Sequence, residues 1–144
     1  MKKSILGCFI GLSIVLSLDS ISRVLVALYH DHTILMFSYS AYPGAIWAVF
    51  LTLMAGISTF LGGLFSFSYG KSNQVLSLSV FTVLIILLRY AQIHLLYETE
   101  TIAYPIAGLI LSLLAIFFSW KLMKSGKKKD EEFKQHHHPD ESGA

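Results

Sequence analysis

From Ile5 to Tyr29 the chain is built of apolar and small residues, and Asp19, Ser20, Ser22 and Arg23 interrupt the run. A helix of roughly 20 apolar residues crosses the hydrocarbon core of a bilayer, so this stretch is long enough to span. Its two charges are the anomaly. On a helix Asp19 and Arg23 are neighbours at i and i+4, and charge inside hydrocarbon is costly unless it is paired or reaches water. The rest of the chain is therefore expected to be arranged around this position.

Three further apolar runs follow, giving spans at about 4–29, 44–69, 74–97 and 102–123. The expected fold class is an all-α integral membrane protein, a four-transmembrane-helix antiparallel bundle over residues 1–124. Only 14% of the 144 residues are charged and 54% are hydrophobic, against about 25% charged in an ordinary soluble domain. Pro43-Gly44 opens the second span and Pro105 lies in the first turn of the fourth, positions where a helix tolerates proline. The acidic turn Glu98 to Thr101 is short enough to force antiparallel neighbours. The loop His30 to Pro43 carries Ile34, Leu35, Met36, Phe37, Tyr39 and Tyr42 and is expected in the headgroup region.

A cleaved signal peptide, with Ser20-Ile21-Ser22 as its small-residue site, is the rival reading of the first span. Val24 to Leu28 carries the apolar run past that site, so the segment is read as retained. Beyond Ser125 the composition turns to lysines, acids, His136, His137, His138 and Pro139. With Phe133 as its single large apolar residue, residues 125–144 are expected to be a disordered charged tail.

All nine lysines lie at Lys2, Lys3, Lys71 or from Lys121 onward, and the segments His30 to Pro43 and Glu98 to Thr101 have neither Lys nor Arg. Because cytoplasmic loops carry the Lys/Arg excess, both termini and the Lys71 turn are expected inside the cell, in a plasma or bacterial inner membrane. Nucleic-acid binding is excluded as a reading, since the tail lysines alternate with Asp130, Glu131 and Glu132 instead of forming a basic stripe.

The candidate functional residues are the intramembrane polar ones: Asp19, Arg23, Arg89, Gln92 and His94. Counted from inner boundaries at Ser4 and Gln74, Asp19 and Arg89 each lie about 15 residues in, roughly 22 Å at 1.5 Å per residue. They share one depth on helices that run the same way, which predicts a cluster of Arg23, Asp19 and Arg89 with Gln92 completing its hydrogen bonds. His94 lies on another face with Tyr90 and Tyr97, either as an interfacial residue of an aromatic belt or as a proton-sensitive group.

Metal binding is not expected. His30-Asp31-His32 lacks the spacing of a known site, and His136, His137 and His138 are weak candidates of a generic chelating kind. No cofactor is expected. Cys8, the single cysteine, follows Ile5-Leu6-Gly7 like a lipobox, but its apolar segment comes after it, so it is read as a small lipid-facing or packing residue. Gly7 with Gly11, Ser58 with Gly62 and Ser66, and Gly108 with Ser112 have the spacing of helix-packing positions, within the bundle or between two copies.

No nucleophile elbow, phosphate loop, HExxH or dinucleotide fingerprint is present, and no enzyme is expected. Four short spans with one acid in the first is a plan shared by small multidrug transporters and by unrelated membrane families, and plan alone carries no activity. In the small multidrug transporters that acid is a glutamate in a cation-accepting cavity; arginines beside Asp19 disfavour cations. The expected role is a structural or accessory membrane component acting through helix contacts with a membrane-protein partner or a second copy. The alternative is a small oligomeric transporter or channel for an anion or proton-coupled solute that uses the Asp/Arg cluster.

Overall fold

The computed structural model describes residues 2–29, 45–70, 73–96 and 103–136. They form four helices: α1 (Lys2–Tyr29), α2 (Ala45–Tyr69), α3 (Gln74–Leu96) and α4 (Ala103–His136). Each contains a stretch with mean hydropathy of 1.9 to 2.0 that is long enough to cross a membrane. There is no strand among the described residues. The greasy loop, the His30-Asp31-His32 triplet, Lys71, the acidic turn, Tyr97, His137 and His138 lie outside them.

The first three helices begin and end within two residues of the expected spans. Between α2 and α3 the Gly70 amide donates to Ser66 O at 3.0 Å and closes α2. Asn73 then caps α3, its Oδ1 accepting from the Leu76 amide at 3.1 Å, a bond that satisfies one of the orphan donors of a first turn. The fourth helix differs from expectation. It continues to His136, so the tail expected to be disordered from 125 is helical over 125–136. Burial is not needed for this. A helix already nucleated inside the span extends at one hydrogen bond per residue, and Lys, Glu and Gln dominate 127–135 and favour helix. At roughly 50 Å long, α4 exceeds the ~30 Å hydrocarbon core.

Polarity is inverted relative to a soluble bundle. Ser4, Asp19, Ser22, Ser58, Thr59, Ser66, Ser77, Arg89, Ser112 and Ser119 are buried, while Leu6, Phe9, Ile21, Leu25, Ile46 and Phe118 are more than half exposed. Lipid is as apolar as leucine, so large side chains gain nothing by leaving it, and small or polar residues draw helices together. A compact apolar core remains around Cys8, Val15, Phe67, Phe81, Ile85 and Ile116, with Phe67 and Phe81 packed edge to face at 6.0 Å.

Helix order around the bundle is α1, α2, α4, α3. α1 and α4 each pack closely on α2 and more loosely on α3, the diagonal pair α2 and α3 makes fewer contacts still, and α1 and α4 do not meet. The sequence of α2 explains its position, because it carries two stripes of small residues. Ser58, Gly62 and Ser66 face α1, where a Cβ on Gly62 would lie 2.6 Å from Gly11 O. Gly56, Thr59 and Gly63 face α4, where a Cβ on Gly56 would meet Leu111 and one on Gly63 would meet Ser119. Absent side chains at these points let the α1 backbone touch that of α2 on one side and let the Leu111 and Ser119 side chains of α4 settle against it on the other.

Aromatic residues mark the two ends of the spans, as amphipathic rings do at bilayer interfaces. Tyr29 and Trp47 pack at 5.4 Å at one end, and at the other Lys124 Nζ lies 5.1 Å above the Trp120 ring.

Candidate functional site: a charged cluster shared by four helices

Arg89 projects from α3 into the centre of the bundle and is only 3% exposed. A guanidinium has five N–H donors and no acceptor, and here every donor has a partner. Nη1 pairs with Asp19 Oδ2 on α1 and donates to Gln92 Oε1 on its own helix at 2.8 Å. Nη2 donates to the Ala55 carbonyl at 3.1 Å and to Thr59 Oγ1 at 3.3 Å, both on α2. Nε donates to Ser112 Oγ on α4 at 3.1 Å. One side chain thus joins all four helices.

The acceptors are held in turn. Ser58 donates to Asp19 Oδ1 at 2.6 Å, so both carboxylate oxygens are engaged. Thr59 donates to Ala55 O at 2.7 Å, which orients its oxygen as an acceptor for Arg89. Ser112 lies 3.1 Å from Thr59 Oγ1 and closes the ring of hydroxyls. A buried ion pair persists only when its remaining hydrogen-bonding capacity is also satisfied, and these hydroxyls do that. The arrangement can bind charge, fix register and exclude water.

Of the residues singled out from the sequence, Asp19, Arg89 and Gln92 come together. Asp19 forms an ion pair with Arg89, and Arg23 is half-buried one turn along α1 toward Tyr29. His94 is exposed and stacks on Tyr90 with ring centroids 6.4 Å apart and planes 4° from parallel, away from the cluster. Cys8 is fully buried and packs between helices, accepting from Ser66 Oγ and donating to Ser77 O, each at 3.4 Å. Among the described residues no three metal-binding side chains gather. His136 ends α4.

Ser58 and Ser112 looked like packing residues in the sequence and prove to be hydrogen-bonding ones. Thr59 and the Ala55 carbonyl were not singled out. The available signal was a hydroxyl residue within an apolar span at the level of a charge; a backbone carbonyl leaves no signal at all.

Beside the cluster, toward the Tyr29 end of α1, a small cleft is lined by Arg23, Thr52, Arg89, Gln92, Tyr104 and Gly108, among others. The centre of a water-sized sphere can move through about 20 Å³ of it, where about 10–15 Å³ accommodates one water.

The geometry defines a polar-cored, membrane-spanning four-helix bundle. No protein-family model, curated protein or solved structure matches the chain.

Proposed function

We propose that this protein is a structural or accessory component of a cell membrane, acting through helix contacts with a membrane-protein partner or a second copy. Its membrane is the plasma or bacterial inner membrane, with both termini on the cytoplasmic side, as the lysine distribution argues. One observation carries the reading: protein acceptors take all five Arg89 donors. A charge serving transport has to exchange partners with solute or water during the cycle, whereas this one is committed to joining α1, α2, α3 and α4.

The test is purification in mild detergent followed by crosslinking and mass spectrometry. A stoichiometric heterologous partner supports the accessory role. A clean homo-oligomer that conducts or exchanges an anion in proteoliposomes overturns it in favour of transport.

A further inference from the structure

In hydrocarbon the apolar side chains of a helix are as well accommodated by lipid as by protein, so close packing and polar bonds hold helices together. By that measure α3 is attached differently from the other three. α1 and α4 press closely on α2, at Gly11 against Gly62 and at Gly56 and Gly63 against the Leu111 and Ser119 side chains. No glycine lies between Gln74 and Leu96, and α3 packs loosely on α1 and α4 and least on α2. Of its apolar stretch 22% is buried, the smallest share of the four spans and little more than half the 39% of α2.

The polar bonds of α3 are strong but gathered at one point. Arg89 reaches Asp19 on α1, Ala55 O and Thr59 on α2, and Ser112 on α4. Further toward the lysine end the Cys8 thiol donates to Ser77 O at 3.4 Å, and a thiol is a weak donor. Phe81 and Ile85 between them are fully buried, yet hydrocarbon accepts both side chains when α3 moves away. The other helices have contacts of their own that involve no residue of α3. These are the approaches at Gly62, Gly56 and Gly63, the Ser58 to Asp19 bond at 2.6 Å and the Thr59–Ser112 pair at 3.1 Å.

We propose that α3 is a latched helix: α1, α2 and α4 form one packed unit, and α3 opens from it as a body when the bonds of Arg89 are given up. Proteins open sub-globally in cooperative elements of unequal stability, and here one side chain sets how easily the element opens. Opening uncovers the Asp19 carboxylate and the acceptor oxygens of Ala55, Thr59 and Ser112 on one face of the three-helix unit. The inference goes beyond the structural role above, which stands whether or not α3 opens.

The test places pairs of nitroxide labels on the full chain in maltoside micelles, with Cys8→Ser removing the native thiol, and reads distances by double electron–electron resonance as SDS is added. All four labelled positions are exposed on the outside of the bundle. Leu16→Cys with Leu114→Cys reports α1 and α4 across α2, and Ile57→Cys with Val83→Cys reports α3 against α2. The α2–α3 pair should lose its single distance at a lower SDS fraction than the α1–α4 pair. Loss of both at one SDS fraction, or of the α1–α4 distance first, overturns the proposal. With Asp19→Asn and Arg89→Gln added together, the α2–α3 loss should shift to lower SDS while the α1–α4 loss stays in place. An unmoved α2–α3 loss, or an equal shift of both, overturns it as well. If that variant does not fold, the order of the two losses with Asp19 and Arg89 intact decides alone. Neither readout involves a partner, so this result and the crosslinking result stand or fall separately.

Discussion

Arg89 of α3 meets Asp19 of α1 through the same Nη1 that reaches Gln92 Oε1 at 2.8 Å. The other two guanidinium nitrogens turn to α2 and α4. Charge neutralisation and helix assembly are therefore one event in this bundle: the carboxylate is satisfied only when α1 and α3 are in register, and Arg89 only when all four helices are present.

Removing one member of the pair should be worse than removing both. Asp19→Asn or Arg89→Gln leaves a buried charge without its partner, at a cost of about 3–5 kcal/mol. The double variant keeps no net charge in the core and should recover a substantial part of that loss. Unfolding in mixed micelles measures all three, and equal stability of single and double variants would refute the coupling.

Close approach of α1 and α2 makes a second prediction. A Cβ on Gly11 would lie 2.5 Å from Gly62 O, and one on Gly62 would lie 2.6 Å from Gly11 O. Since both obstacles are backbone, Gly62→Ala should cost about 1–3 kcal/mol, as overpacking does. Gly126→Ala meets nothing within 4 Å and should be neutral or stabilising by up to about 1 kcal/mol. Comparable losses at both sites would contradict the packing described.

Two serines of similar sequence context should behave differently. Ser112→Ala removes the acceptor of Arg89 Nε and should cost about 1–3 kcal/mol, the penalty for stranding a buried donor. Ser13 bonds to Phe9 O of its own helix at 3.0 Å and is exposed, so Ser13→Ala should change stability by no more than about 0.5 kcal/mol. Denaturant titrations of the two variants side by side distinguish a networked hydroxyl from an ordinary one.

The proposed orientation is checked by topology reporters. Fusions placed at residue 71 and after residue 144 should both report the cytoplasm, and a fusion within 98–101 should report the exterior, following the lysine bias. An exterior signal at residue 71 contradicts the four-span orientation.

Spans, and the shared depth of Asp19 and Arg89, were legible along the chain because each depends on local composition and a rise of 1.5 Å per residue. Hydrocarbon thickness does the rest, converting residue number into height. Which faces meet is a different kind of quantity. The order α1, α2, α4, α3 and the recruitment of Thr59, Ser112 and the Ala55 carbonyl depend on the rotation of four rods about their axes. That rotation is set where small residues on α2 admit the backbone of α1 on one side and side chains of α4 on the other, a condition no single helix contains. Continuation of α4 to His136 is the converse case: its cause is local, the hydrogen bonds of a helix already begun, and it requires no burial.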